Sequence, residues 1–535
     1  MIRFAQLFHA IDATTKTNEK INELASYFAA APAADAAWAI YFLSGNKLRQ
    51  LVPTKLLRVW AAEAADIPAW LFEESYHAVG DLAETLSLIV PAGTLVNDDS
   101  LSHWIEKRLI PLRTLSESAQ RDAILEIWKQ TPAAARLVVM KLVTGAFRVG
   151  VSKRLVTRAI AEHSGISPDV IAHRLMGNWK STPTFYERLV DPNVQDTLNS
   201  QPYPFCLAHP IEIGLGPEAL GESGDYFAEW KWDGIRGQLI RRAEQTFIWS
   251  RGEELMENRW PEIEASAASL PNGTVLDGEI LATLPSGEVL PFSQLQRRIN
   301  RKAVSKKLLK EVPVVFQAFD LLEHAGEDIR TLPFTERRLR LESLLLNADE
   351  KRLTLTSLID GNCWQDWATV RETSREMNAE GLMLKRKNAP YDVGRVRGTW
   401  WKWKLAPYSI DAVLIYAQKG HGKRASLFTD YTFALWDGEA LVPFAKAYSG
   451  LDDQEIQQVD RFVRQHTKES FGPVRSVTPQ LVMEIAFEGL QLSTRHKSGI
   501  ATRFPRIIRW RHDKKVADAN SLQDLMALLP ERQIK

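Results

Sequence analysis

The feature that most constrains the fold is a change of hydrophobic period near residue 200. Before it, Phe4, Leu7, Phe8 and Ile11 fall at helical spacing, as do Ile21, Leu24, Ala25 and Phe28. Thr14 to Asn18 supply turn and cap residues between them. One long helical segment is expected over 119–142 and a further helix over 152–162. After residue 200, short alternating runs separated by Gly turns read as strands. A stripe of period 3.6 and a face of period 2 bury against different partners, so the chain divides into layers of different kind. Its 535 residues allow roughly three or four domains of about 100–200 residues. The run Asn199-Ser200-Gln201-Pro202-Tyr203-Pro204 reads as a linker, and a second change follows Pro407. We therefore expect an all-α domain over 1–200, an α+β domain with antiparallel sheets over 201–406, and a small β-barrel over 407–535.

Within the middle segment, Glu229-Trp230-Lys231-Trp232-Asp233-Gly234-Ile235-Arg236 reads as a strand ending in a turn at Asp233-Gly234. Side chains on a strand alternate faces. Glu229 and Lys231 share one face, Trp230 and Trp232 take the other, and the turn sends Arg236 out where it could meet phosphate. Other runs carry complementary chemistry. Ser250-Arg251-Gly252 closes a strand. Asp277 and Glu279 place two carboxylates on one strand face. Phe319-Asp320 ends a strand with an aromatic. Glu380 through Lys385 begins with an acid and ends with a base, and Lys402 and Lys404 alternate with Trp401 and Trp403. Singly, each describes an ordinary half-buried strand. Together they supply an amine nucleophile, an aromatic platform, carboxylates for a metal or ribose, and lysines for phosphates, the parts a nucleotidyl-transfer site needs.

Composition narrows the alternatives. With 67 basic and 66 acidic residues the net charge is +1, so any nucleic-acid surface must be local. From Gln294 to Lys310, seven basic residues (Arg297, Arg298, Arg301, Lys302, Lys306, Lys307, Lys310) occur without an acid. This is a solvated face or a backbone-contact patch. Thr502-Arg503-Phe504-Pro505-Arg506 opens a second basic run, in which Pro505 argues against a central strand. Gly145 and Gly150 mark a loop whose Arg148, Lys153 and Arg154 read, on residue types alone, as a helix–helix turn with solvated charges. Two cysteines, Cys206 and Cys363, exclude a disulfide framework and a four-cysteine zinc module. They suit a reducing cytoplasm. The N-terminus lacks a long apolar run, and Pro32 and Asp35 break the most apolar stretch, so neither a signal peptide nor a membrane span is expected.

In order and spacing these runs resemble the ATP-dependent DNA ligases of the covalent nucleotidyltransferase superfamily. The resemblance rests on Lys231-Trp232-Asp233-Gly234-Ile235-Arg236, Ser250-Arg251-Gly252, Asp277-Gly278-Glu279, Phe319-Asp320, Glu380-Gly381-Leu382-Met383-Leu384-Lys385, Trp401-Lys402-Trp403-Lys404 and Arg503-Phe504-Pro505-Arg506. Thr144 to Ser152 is similar to the DNA-binding loop of larger relatives, which overturns the plain-turn reading. The resemblance implies a helical DNA-binding domain, an adenylation domain and an OB-fold barrel, sealing nicks in double-stranded DNA in replication, repair or recombination. It further implies that Lys231 becomes adenylylated, that Glu229 contacts the adenine and that Phe319 stacks on it. Arg236 and Arg251 would serve ribose and phosphates, and Glu279 the ribose hydroxyl. Glu279 and Glu380 would hold a metal, and Lys402 and Lys404 the α-phosphate. Arg503 and Arg506 would serve the ATP step. Many relatives carry an arginine six residues before Lys402; here that position is Val396, flanked by Arg395 and Arg397, either of which could substitute, with Arg397 counted among the expected cofactor-binding residues. ATP, Mg2+ or Mn2+, and nicked duplex DNA are the expected cofactors and partner. The expected state is a monomer without membrane contact, in a bacterial-type cytosol. The rivals are an RNA ligase or capping guanylyltransferase, an NAD-dependent ligase, which the cysteine count disfavours, and a non-catalytic nucleic-acid-binding protein.

Overall fold

The computed structural model describes all residues except 92, 94–98, 146, 148, 177–178, 195–198, 213–215, 257, 300, 302–303, 347–351, 421–425, 472–473 and 530–535. Arg148 and Lys302, both named above, lie outside the described residues. By their contacts, residues 24–37 and 153–405 form one compact unit, and residues 1–23, 38–152 and 406–535 the other.

Among the described residues, the first of these carries ten strands: β1 (His209–Pro210), β2 (Tyr226–Trp232), β3 (Ile235–Arg242), β4 (Gln245–Ser250), β5 (Thr274–Ala282), β6 (Val314–His324), β7 (Glu327–Asp328), β8 (Leu353–Leu355), β9 (Ala379–Arg386) and β10 (Trp400–Lys404). They form two sheets, β1-β10-β9-β2 and β4-β3-β5-β6-β7, with β8 beside β6. All pairings are antiparallel except β1 with β10 and β6 with β8. Trp401 and Trp403 pack with Leu382, Leu384, Trp364 and Trp367 on one face of the first sheet. The opposite face is thereby left to Lys402, Lys404 and their cross-strand neighbours. The second sheet buries Leu239, Leu276, Phe316 and Leu321 with Ile263 and Leu341 from flanking helices and Trp260, which precedes the helix of Ile263.

The helices over residues 153–200, which the sequence groups with the N-terminal helices, make their contacts within this unit. The Tyr186 hydroxyl donates to the carbonyl of Phe28 at 3.1 Å, and the rings of His173 and Tyr203 stack at 5.3 Å. Lys153 pairs with Glu253, and the Gln201 amide donates to the carbonyl of His173. Side-chain partners of this kind leave no trace in hydrophobic period.

The other unit begins with helices. Helix Ile2–Ala13 buries Phe4, Leu7, Phe8 and Ile11, the residues its spacing marked. The long segment expected over 119–142 is two helices, Glu117–Gln130 and Ala133–Thr144, because Pro132 lacks the N–H that would carry one helix through. Phe147, in the loop that follows, packs its ring 5.6, 5.4 and 5.7 Å from those of Phe4, Phe8 and Phe42. The loop is therefore anchored in the helical core. Among the described residues no strand precedes His209.

The barrel strands are β11 (Tyr408–Lys419), β12 (Phe428–Asp437), β13 (Ala440–Ala447), β14 (Thr467–Phe471), β15 (Val474–Val477), β16 (Val482–Phe487), β17 (Gly489–Leu492), β18 (Ile500–Arg503) and β19 (Arg506–Trp510). Seven form one sheet, in which β11 pairs with β12, β15 and β16, and β16 with β19; β17 and β18 pair separately. Pro505 falls in the break between β18 and β19. The architecture is thus an all-helical N-terminal region, a central α+β region with curled antiparallel sheets, and a C-terminal half-barrel of the OB kind. No helix among the described residues is long and apolar enough to cross a membrane.

Candidate active site

Two β-bulges build the site. Along β2 and β9, Trp230 opposes Leu382 and Trp232 opposes Ala379, so Lys231 faces two residues, Glu380 and Gly381. A bulge re-aims the side chains around it. Glu380 and Lys385 have opposite strand parity, yet Glu380 reaches Lys231 while Lys385 reaches Glu229. Gly381 makes this possible. Its φ is +143°, and a Cβ there would lie 2.3 Å from the carbonyl oxygen of Trp403. In the second sheet, Asp277 opposes Asp320 and Gly278 opposes Ala318, which leaves Phe319 as the extra residue of β6.

The Lys231 Nζ lies 2.7 Å from Glu380 Oε2, and the Lys404 Nζ lies 3.0 Å from the same oxygen. One carboxylate thus bridges the lysine of the turn motif and a lysine of β10. Burial raises the Glu380 pKa, but Lys231 and Lys404 more than offset it and hold the carboxyl at about 2. Glu279 goes the other way: burial, with Asp277 and Glu380 nearby, pushes it up to about 8 against the pull of Lys231 and Arg236. Burial lowers Lys402, helped by Lys404, Arg395 and Lys231. Lys231 is thus in direct contact with a carboxylate as well as near the lysines of β10.

Arg236 is not turned out toward phosphate as expected. Its Nε and Nη2 donate to Asp277 at 3.1 and 2.7 Å, and its guanidinium lies 5.3–5.4 Å from the ring centroids of Phe205, Phe319 and Trp400. Arg236 opposes Glu279 across β3 and β5, which sets its side chain on the face of Asp277. The fully buried Asp277 also accepts from the Tyr391 hydroxyl at 2.6 Å. Asp277 outweighs burial, and the Arg236 pKa is raised.

Glu229 is 2% exposed. Its Oε2 is 2.7 Å from the Lys385 Nζ, and its Oε1 is buried without a hydrogen-bond partner. The same Lys385 Nζ lies 4.1 Å from the Phe319 ring centroid. Burial raises Glu229 and lowers Lys385, and each charge restrains the shift of the other. A partnerless buried carboxylate oxygen beside a half-buried aromatic fits a base that carries an amine.

The remaining expected residues are less enclosed. Arg251 is exposed on the turn after β4, its N–H donating to the Arg236 carbonyl at 2.9 Å. Arg395 and Arg397 are exposed and act on His209, while Arg395 also acts on Lys402. In the other unit, Arg503 ends β18 with its guanidinium 5.2 Å from the Phe504 ring, and Arg506 pairs with Glu488 at 2.8 Å.

Family models match along the chain: a DNA ligase N terminus over residues 1–161, an ATP dependent DNA ligase domain over 207–404, and an ATP dependent DNA ligase C terminal region over 424–514. A probable DNA ligase of Koribacter versatilis is 32% identical over 97% of this chain and 95% of its own length. The chain belongs to the ATP-dependent DNA ligases. Another relative, a probable DNA ligase of Opitutus terrae, is 28% identical over 97% of this chain but only 61% of its own. A solved structure described as Pmar-Lig_PreS3 aligns over 95% of this chain and 99% of its own at 16% identity, with a TM-score of 0.61, a likeness of fold. This ligase is therefore an enzyme that binds ATP and seals DNA by nucleotidyl transfer.

Sequence reasoning missed three residues that the fold brings against the candidate site residues. Tyr391 carried no local signal, because only the fold brings it to Asp277. Arg338, on helix Phe334–Leu346, lies 3.6 Å from Glu229, with its Nη1 also lacking a hydrogen-bond partner. Lys385 was noted as the end of a run but given no task. The basic run also divides. Arg298 is fully buried, bonded to Glu262 and to the carbonyls of Val312 and Arg259, whereas Lys306 and Lys310 are exposed.

Proposed function

We propose that this ligase works through Lys231. The observation that carries the reading is the Glu380 carboxylate held between Lys231 and Lys404 at 2.7 and 3.0 Å. It fixes a nucleophile and a phosphate-binding cation within one hydrogen-bonded group. Lys231 Nζ attacks the α-phosphorus of ATP, the bond to the β-phosphate oxygen breaks, pyrophosphate leaves, and the amine loses its proton. The product is a lysine–AMP phosphoramidate. The AMP passes to the 5′-phosphate of a nick, and the 3′-hydroxyl then attacks that phosphate and expels AMP.

In this reading Lys402 and Lys404 bind the α-phosphate, Phe319 is the adenine platform and Glu229 accepts from the adenine amine. Arg236 acts from beneath, holding Asp277 and Phe319. Arg251 and Arg397 meet phosphates from the exposed turns, and Glu279 serves the ribose hydroxyl. Arg503 serves the ATP step. Among the described residues no group of three metal-ligating side chains occurs. The paired carboxylates of Glu279 and Glu380 nevertheless fit a hard cation that completes its shell with phosphate and water oxygens, and they would hold Mg2+ or Mn2+. Such an ion supplies charge neutralisation at the phosphates. We further infer three domains over 1–200, 201–406 and 407–535, a monomer acting on nicked duplex DNA, and a cytosolic setting in replication, repair or recombination.

Incubation with α-labelled ATP and divalent metal, followed by denaturing electrophoresis, tests the reading. A labelled band that Lys231→Ala abolishes is expected; no band, or one that persists in the variant, overturns it. Nicked DNA and nicked RNA duplexes then separate DNA sealing from its RNA rival.

A further inference from the structure

The buried ion pair beneath the aromatic platform has a role that phosphate chemistry does not require. Lys385 is 1% exposed in its side chain and donates to two acceptors, Glu229 Oε2 at 2.7 Å and the carbonyl of Phe319 at 3.3 Å. Its ammonium also lies 4.1 Å from the centre of the Phe319 ring, 4.5 Å from that of Trp400 and 4.9 Å from that of Phe334. It is thus tied at once to the proposed base platform and to the proposed base reader. Arg338 is also near Glu229 but is committed elsewhere: its Nε donates to Glu342 and its Nη2 to the carbonyl of Thr356, both at 2.7 Å. At 3.6 Å it stands outside hydrogen-bond reach of Glu229. Among the described residues, Lys385 is the only side chain that donates a hydrogen bond to the Glu229 carboxylate.

We propose that Lys385 is the positioning residue that sets nucleobase choice, by keeping Glu229 an ionised, acceptor-only carboxylate aligned with the plane of Phe319. This rests on the assignment of Glu229 and Phe319 to the base of ATP. The chemistry follows from the two purines. Adenine carries an amine donor where guanine carries the O6 acceptor. An ionised carboxylate accepts only, so it takes the adenine amine and repels guanine O6. A protonated carboxyl carries an O–H and donates to O6. Inside a buried site an isolated carboxylate takes up a proton rather than stay charged. Without Lys385, Glu229 therefore ceases to discriminate. Nothing in the Lys231 reaction itself needs that discrimination, so nucleotide choice and labelling rate separate experimentally.

The test is self-labelling of the full-length protein with α-labelled ATP and, separately, α-labelled GTP, across nucleotide concentration, for wild type, Lys385→Met and Lys385→Arg. Thermal melting of each variant is measured in parallel. Lys385→Met is expected to lower the preference for ATP over GTP by roughly tenfold or more. Most of the loss should sit in KM for ATP, and Lys385→Arg should restore the preference. A Lys385→Met protein that labels slowly with both nucleotides while keeping the wild-type preference overturns the proposal, since a merely structural lysine changes rate and melting alone. So does a Lys385→Arg protein that melts like wild type without regaining the preference. If Lys385→Met does not fold, Glu229→Gln carries the same prediction: its amide N–H donates to O6, and an unchanged ATP preference again refutes the idea. Failure of the wild type to label with ATP at all counts against the Lys231 reading instead.

Discussion

The ion pair between Asp320 and Arg337 offers the sharpest test of how the candidate site is held. Both side chains are fully buried. Arg337 donates through Nε and Nη2 to the two Asp320 oxygens at 2.8 and 2.9 Å, and its Nη1 donates to the carbonyls of Leu332 and Ala389. Asp320 also accepts from the Leu321 N–H at 2.9 Å. Arg337→Met keeps much of the volume but leaves the buried Asp320 carboxyl without its cationic partner. Breaking a buried pair from one side costs about 3–5 kcal/mol. At about 2–4 °C of melting temperature per kcal/mol for a cooperative unit of a few hundred residues, the fall should be about 6–20 °C. Because Asp320 follows the bulged Phe319, KM for ATP in self-labelling should rise in the same variant. Asp320→Leu combined with Arg337→Met removes both charges and should recover most of the lost melting temperature, as apolar replacements of buried pairs commonly do. Scanning calorimetry of wild type, both single variants and the double variant completes the cycle. A single Arg337→Met protein melting within about 2 °C of wild type, or a double variant no better than the singles, would falsify the claim that a buried pair supports Phe319.

Two further outcomes follow from the charges. The Glu380 pKa is depressed from 4.5 to about 2, so its stabilising contribution is present above pH 4.5 and is lost as pH falls through about 2. In metal-free buffer, wild type should lose more melting temperature than Glu380→Gln between pH 5 and pH 2; parallel curves would refute the pairing. In the basic run, Arg298→Leu should lower melting and leave the salt dependence of nicked-DNA binding unchanged. Lys306→Ala with Lys310→Ala should do the reverse, with the log–log salt slope falling by about 0.9 for each phosphate that is no longer neutralised. A wild-type slope in the double lysine variant would leave that face merely solvated.

How far the sequence reached is visible in single residues. The lysine face of β10 was legible because alternation is enforced by the backbone, and Trp401 and Trp403 had only one side on which to be buried. The helix Ile2–Ala13 and its buried stripe were legible for the same local reason. Pro132 was a readable break that hydrophobic spacing on both sides concealed.

The sequence by itself determined the order of chemistry along this chain: Lys231 at a Gly turn, carboxylates at Glu279 and Glu380, an aromatic at Phe319 and two lysines on one strand. Those are properties of residue type and strand parity. Only the tertiary structure decided which of them meet. The bulge at Glu380-Gly381 breaks the parity that the sequence argument relied on and turns Glu380 onto Lys231, and the bulge at Phe319 sets its ring over Lys385. Arg236, expected to meet phosphate, is taken by Asp277 because burial makes an unpaired carboxylate costly and the nearest strand supplies the guanidinium. Bulges and buried pairs depend on what lies across the sheet, and that neighbour exists only once the chain has folded.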